Sequence, residues 1–228
     1  MIKKVCLVFL ALVVVLLAAA GVAWKLNGER WQQEYAAFRK TGAPVLMYHA
    51  VGLEEGADWP KTLIMKPELF EAHLQYLKEQ GYTIVTVAEL AERLQQGKSV
   101  DKYVALSFDD GYKNNHSVVL PLLQKYDAKG SFFVINKDMG DELHMNEQEI
   151  KELIAAGMEL GSHTYSHNPL AAIDEKYLVW ETDTSRYWLK KKFDGYIVRT
   201  LAYPNGSYND RVIAAAKKYG FYLSLIHI

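Results

Sequence analysis

An α/β domain built on a parallel sheet is the architecture this sequence predicts, and three observations point to it. From Pro44 onward, short β-type runs alternate with stretches of helical apolar spacing, strand then helix, to the end of the chain. Four polar clusters (Tyr48-His49, Asp109-Asp110-Gly111, Ser162 to His167, Tyr203 to Gly206) each follow one of those strands. In parallel α/β architectures the C-terminal strand ends are where sites are built. Of the 228 residues, an apolar leader takes the first 25 or so, and what remains suits one domain. The alternation alone allows the sheet to be open or closed into a barrel.

The leader comes first. Val5 to Trp24 is a run of 20 residues without a charge, enough to cross a bilayer as one helix. Lys3 and Lys4 precede it, so the positive-inside rule keeps the N-terminus in the cytoplasm and exports the remainder. A single-pass anchor over residues 1–25 is the expectation; cleavage as a signal segment after Ala-Ala-Ala-Gly-Val-Ala, followed by secretion, is the alternative. Cys6, the single cysteine, lies inside this segment as a small apolar residue, leaving the exported part without a disulfide. Residues 26–43 read as a juxtamembrane stalk and 44–228 as one folded domain.

Within that domain Val45 to Val51 reads as a strand. Lys66 to Gly81 reads as a helix whose apolar face is Leu69, Phe70, His73, Leu74 and Leu77. Then follow a strand over 82–87, a helix over 88–97 and the buried-looking strand Tyr103 to Phe108. A helix over 118–126 is interrupted early by Pro121, and a strand covers 130–135. The helix 146–157 has Asn146 as cap and Gly157 as stop, and precedes the strand 158–163. One long helix is expected over 175–192, then a strand over 198–204. A helix capped by Asn209 or Asp210 and a last strand over 221–225 complete the order.

Composition removes some functions. With 26 basic and 27 acidic residues the net charge is −1, and Lys190-Lys191-Lys192 is the longest basic run, so nucleic acid is not an expected partner. Aromatic content of 12% is compatible with stacking on carbohydrate but does not by itself argue for it.

The clusters define the chemistry. His163 and His167 are four residues apart, a spacing that puts both imidazoles on one side of a helical turn after the strand. Two imidazoles and one carboxylate with open positions suit Zn²⁺ or another divalent transition ion. The Asp109-Asp110 pair supplies the carboxylate. If one of the two binds the ion, its neighbour can stay ionised and act as general base on water, while Gly111 allows a sharp turn.

These residues also resemble a known family. Ser107 to Tyr112 (SFDDGY), His163 to His167 (HTYSH) and Leu201 to Gly206 (LAYPNG), in this order and roughly this spacing, are similar to the first three motifs of the polysaccharide deacetylases, the family-four carbohydrate esterases. Pro44 to Gly52 and Phe70 to Leu90 resemble the entry region of exported members related to poly-N-acetylglucosamine deacetylases. The resemblance covers about Pro44 to Leu225. It implies a distorted (β/α) barrel that removes N- or O-acetyl groups from an extracellular or cell-wall polysaccharide. In that pattern Asp109 is the general base; Asp110, His163 and His167 bind the metal, most often zinc, with cobalt or nickel as alternatives. Tyr203 and Pro204 shape the acetyl pocket, and the Asn205 N–H faces the oxyanion. His49 stands on the same rim as a substrate or base contact.

The chain departs from the family pattern in two places. Where the third motif often carries an Arg that orients the base, this chain has Ala202; Arg199 is a candidate for that task. The family's later motif, whose histidine is the general acid, is matched only superficially by Leu225-Ile226-His227. Residues 223–228 coincide with the translation of a widely used transposase sequencing adapter, so the expectation is a gene cut short, a barrel incomplete at its C-terminus, and no catalytic role for His227. A non-catalytic glycan-binding protein of the same fold is the competing reading. A phosphoryl-transfer enzyme is disfavoured by the histidine pair and by the lack of a Gly-rich phosphate loop. The sequence sets neither the polymer nor an oligomeric state.

Overall fold

The computed structural model describes residues 25, 29, 43–52 and 63–225. The expected anchor and stalk, with Cys6, thus fall outside the described residues except at Lys25, Glu29 and residue 43, and so does His227. Among the described residues no helix is long and apolar enough to cross a membrane. The chain divides into two compact units, Met1–Gly42 and Ala43–Ile228, and the sheet and the polar clusters belong to the second.

The strands are β1 (Val45–Tyr48), β2 (Ala50–Val51), β3 (Ile64–Met65), β4 (Thr83–Val85), β5 (Tyr103–Phe108), β6 (Ser131–Val134), β7 (Glu159–Ser162), β8 (Thr200–Ala202) and β9 (Leu223–Leu225). The helices are α1 (Pro67–Glu79), α2 (Val87–Gln95), α3 (Leu120–Lys125), α4 (Glu147–Ala155), α5 (Glu175–Val179), α6 (Ser185–Lys192) and α7 (Asp210–Lys218). Seven strands form one sheet in the order β1-β5-β6-β7-β8-β9, with β4 also on β5, and every pairing is parallel. The short strands β2 and β3 make a separate parallel pair.

The register shows how the sheet curls. Ala105 is flanked by Val45 and by Val85, while Ser107 is flanked by Met47 and by Ser131. One edge of β5 is therefore shared, β4 holding its first half and β6 its second, which splays the strands as a barrel wall requires. Side chains alternate accordingly. Val104, Leu106, Phe108, Phe132, Leu160 and Leu201 meet helix residues such as Phe70, Leu74, Ile150, Leu153, Leu189 and Val212 in the main core. The opposite face carries mostly small residues, Ala105, Ser107, Ser131, Gly161 and Ala202, with Phe133 buried among them and Tyr103 partly buried against the same cluster. Small inner residues let a sheet close on itself.

Directly beneath the first acidic cluster the register lines up Tyr48, Phe108 and Phe132 on adjacent strands. Their rings stack at 5.4 Å and 4.8 Å, and Phe70 meets Tyr48 and Phe108 edge-on at 5.1 and 5.7 Å. Such pairs contribute roughly 0.5–1.5 kcal/mol each beyond area burial. At the opposite end of the strands, Glu159 is buried and fully engaged. It accepts from the Ala88 N–H (2.9 Å), the Ser131 hydroxyl (2.6 Å) and the Thr200 hydroxyl (2.6 Å), fastening α2, β6 and β8 to β7.

Several expected boundaries shift for local reasons. The strand predicted over 45–51 breaks at His49, whose carbonyl accepts from Asn115 Nδ2 (2.9 Å) instead of joining a ladder. The strand over 82–87 stops at Val85, because Thr86 and Glu89 form a capping box that starts α2 at once. Asn146 and Glu149 form a second capping box, and Asn209 rather than Asp210 caps α7 by accepting from the Val212 N–H. Leu69, expected on the apolar face of α1, is exposed; Phe70, Leu74 and Leu77 are buried. The long helix expected over 175–192 is interrupted by a π turn, Trp180–Thr184, and a second π turn, Asn115–Val119, precedes α3.

Candidate metal centre

Three strands deliver the site. β5 ends at Phe108, and the Asp109 N–H still reaches the Tyr48 carbonyl (3.0 Å) before the chain turns away. The turn is made by Asp110 and Gly111, both left-handed at φ 70° and 80°. A Cβ on Gly111 would lie 3.0 Å from Val134 Cγ1, so glycine meets both the dihedral and the close approach there. β7 ends at Ser162 and passes directly to His163, whose N–H reaches the Val134 carbonyl (2.9 Å). Thr164 and His167 are also left-handed (φ 71° and 61°), as is Asn205 (φ 54°) after β8. Each such residue costs roughly 1–2 kcal/mol. Among the described residues, four of the seven left-handed non-glycine residues thus sit on the loops that follow β5, β7 and β8.

The result is a cluster in which one donor atom each from Asp110, His163 and His167 lies within 4.8 Å of the others. Asp110 Oδ1 faces His163 Nε2 at 3.4 Å and His167 Nε2 at 3.5 Å. That oxygen is buried and accepts no hydrogen bond, although desolvating a carboxylate oxygen is costly. The other oxygen, Oδ2, accepts from the Tyr112 hydroxyl (2.7 Å). His163 Nδ1 lies 2.9 Å from the Ala202 carbonyl, which can only accept; this fixes the proton on Nδ1 and turns the Nε2 lone pair toward Asp110. The two imidazole rings pack edge to face at 4.7 Å. Burial, and then neighbouring His163, hold His167 below the ordinary imidazole pKa, against the pull of Asp110, Asp109 and Asp138. A neutral imidazole is the ligating form.

These features fit a divalent transition ion. One orphaned carboxylate oxygen and two Nε2 atoms converge, each with its far side held by a hydrogen-bonding partner or a turn, which is the arrangement that orients metal ligands. Asp110 and His163 are buried, while the His167 side chain is 32% exposed and leaves the outer side open.

The centre opens into a pocket of about 210 Å³ lined by Met47, His49, Leu63, Asp109, Asp110, His163, His167, Tyr203, Asn205 and Gly206. Seven of the eight residues singled out in the sequence therefore meet in one place. Pro204 is buried behind the turn Pro204–Gly206 and does not line the pocket. Tyr203 is buried and stacks on exposed Tyr208 at 5.7 Å. Arg199 does not take the orienting role considered for it. It lines a different pocket with Thr86 and Glu159, and its guanidinium faces Glu92 at 3.4 Å.

Three contributors escape a sequence reading. Tyr112 lies within the acidic motif, but its hydroxyl contact to Asp110 appears only once the turn is built. The Ala202 carbonyl leaves no trace in residue type. Glu181 sits in a run with two threonines, Trp180–Thr184, a poor helix-forming signal, and its carboxylate packs under the His163–His167 loop.

Comparisons with known proteins agree with this geometry. The polysaccharide deacetylase family profile matches residues 96–224. YxkH of Bacillus subtilis, whose name places it provisionally among polysaccharide deacetylases, is 33% identical over 186 residues, 80% of this chain and 63% of its own length. A poly-β-1,6-N-acetyl-D-glucosamine N-deacetylase of Staphylococcus aureus is 28% identical over 181 residues, covering 72% of this chain and 62% of its own. The chain thus spans less than two thirds of the length of these curated relatives. Among solved structures, the Streptococcus pyogenes deacetylase PplD in complex with acetate superposes with a TM-score of 0.72 at 30% identity, over 78% of this chain and 80% of that one.

Proposed function

The chain belongs to the polysaccharide deacetylase family, and from that premise we propose that it hydrolyses acetyl groups on an extracellular or cell-wall polysaccharide, with N-acetylated glucosamine units as substrate. The observation that carries the reading is the convergence of Asp110, His163 and His167 around one unsatisfied carboxylate oxygen, in a pocket that Asp109 also lines. Asp110, His163 and His167 would hold the ion, with zinc favoured by the two imidazoles and cobalt or nickel as substitutes. When bound, such an ion supplies Lewis-acid polarisation of a carbonyl and lowers the pKa of water.

The chain's own residues divide the remaining work. Asp109, buried at the pocket wall, takes the proton of the attacking water as general base. Asn205, on a left-handed turn at the pocket edge, presents its N–H to the oxyanion that forms as the acetyl carbon becomes tetrahedral. Tyr203, backed by Pro204, forms the wall against the acetyl methyl. His49, half-buried on the rim, contacts the sugar. Breaking the C–N bond then releases acetate and the free amine, which takes up a proton as it leaves. Export and single-pass anchoring through Val5 to Trp24 place the domain outside the membrane in this reading, supported by the charge-free run and the preceding lysines.

Acetate release from acetylated glucosamine oligomers by the full-length protein tests the proposal. Activity should vanish with a chelator, return with zinc or cobalt, and fall at least about 10³-fold in Asp109→Asn. Undiminished turnover in Asp109→Asn, or in chelated protein, would refute it.

A further inference from the structure

Glu181 is a buried acid that the chemistry above does not use. It sits on the π turn Trp180–Thr184 that interrupts the expected helix between α5 and α6, and such turns recur where a helix is bent to serve a site. One carboxylate oxygen, Oε2, accepts the backbone N–H groups of Tyr165 (2.9 Å) and Ser166 (2.8 Å). The other, Oε1, accepts from Asn168 Nδ2 (3.0 Å) and from the Ser166 hydroxyl. All four donors belong to the loop that carries His163 and His167, or to the residue just beyond it.

The helix itself is pinned close by. Ser185 Oγ donates to Asn136 Oδ1 (2.9 Å) and lies 2.7 Å from Ser162 Oγ, at the end of β7. Ser162 Oγ in turn accepts the Thr164 N–H (3.1 Å), and Thr164 Oγ1 accepts the His167 N–H (3.0 Å). Glu181 is therefore a fixed anion set against a loop whose two left-handed residues disfavour its shape when the loop is on its own. A buried carboxylate is tolerated only when donors surround it, so acid and loop stabilise each other.

We infer that Glu181 is a positioning residue for the metal centre. Its carboxylate holds the Tyr165 to Asn168 segment so that the Nε2 atoms of His163 and His167 both face Asp110 before an ion arrives. The inference rests on the proposed reading of that cluster as a metal site. Without the carboxylate, two backbone and two side-chain donors lose their acceptor. Ion binding must then order the loop, and the half-exposed ligand His167 is the one whose place is lost.

Three measurements test this. In metal-free wild-type protein, hydrogen exchange should show the Tyr165 and Ser166 amides protected, and Glu181→Ala should release both while core amides such as Phe133 stay slow. Zinc affinity, measured by competition with a chromophoric chelator, should weaken about 10–100-fold in Glu181→Ala and by less in Glu181→Gln, which keeps one oxygen for the two N–H groups. The cobalt-substituted alanine variant should show an altered ligand-field spectrum, which a remote structural effect would not produce. Unchanged zinc affinity in Glu181→Ala, or fast exchange of both amides in the wild type, overturns the inference. Should Glu181→Ala fail to fold, the wild-type exchange rates decide alone. Failure of the wild type to bind zinc or cobalt sinks the metal reading itself, whereas tight wild-type binding with an indifferent Glu181→Ala sinks only the role of Glu181.

Discussion

Tyr112 donates its hydroxyl to Asp110 Oδ2 at 2.7 Å, two residues along the same tight turn, and leaves Oδ1 as the oxygen facing both histidines. The phenol is pushed far above its usual pKa, first by burial and then by the Asp110 charge, so it stays a donor at any working pH. Its ring is held independently, stacked on His144 at 5.1 Å. Tyr112→Phe should keep that stack and lose only the orienting bond. Zinc affinity is expected to drop about tenfold with little change in thermal midpoint; titration calorimetry on the two proteins would show an equal Kd if the hydroxyl orients nothing.

Asp110 adopts φ 70°, a conformation that asparagine tolerates better than alanine. Asp110→Asn therefore removes the charge while sparing the turn. Zinc binding should weaken by more than about a hundredfold with the fold intact. Asp110→Ala should show the same loss plus a further destabilisation of about 1 kcal/mol in urea. Equal urea midpoints for the two variants would contradict the strain argument.

Gly161 lies on the inner face of β7, where a Cβ would come within 2.4 Å and 2.5 Å of the Phe133 ring. Phe133 is itself fully buried and cannot swing clear. Gly161→Ala should cost about 1–3 kcal/mol, read as a lower urea midpoint with unchanged m-value. A second change, Phe133→Leu, should recover part of it. A neutral Gly161→Ala would mean that the inner face is looser than its distances indicate.

Alkaline stability should depend on Tyr48. Burial pushes its phenol up to about 12, from an ordinary value near 10. Between those values the folded state keeps a proton that the unfolded chain has lost, so stability falls as pH rises through the window. Denaturation midpoints measured at about pH 9 and about pH 11 should decline, and less steeply in Tyr48→Phe. Parallel declines would assign the effect to other groups.

Much of the candidate site was legible because its residues lie at strand ends, where apolar runs stop abruptly at polar residues. Asp109 and Asp110 after Tyr103–Phe108, and His163 after Glu159–Ser162, need only the strand boundaries to be placed on one rim. Caps were legible for a similar reason, since Asn146 and Asn209 stand just ahead of amphipathic runs. The break at His49 was not, because it depends on Asn115, 66 residues away. Nor was the π turn at Trp180–Thr184, whose anion is satisfied only by a loop 13 to 16 residues earlier. Arg199 shows the converse error: considered for the task of the family's base-orienting Arg, it precedes β8 and faces Glu92, while the pocket lies past the strand's other end.

Glu159 carries a consequence for how the chain reaches this state. Its three partners lie 71, 28 and 41 residues away in sequence, so none can be recruited by local collapse. An assembly intermediate with β7 docked but α2 or β8 still absent would bury an anion without its donors, or leave its floor wet to avoid doing so. Partial sheets are thereby penalised relative to both extremes. The route to the native topology should be slow and all-or-none, with few populated halfway species, as expected where long loops close before their contacts reward them.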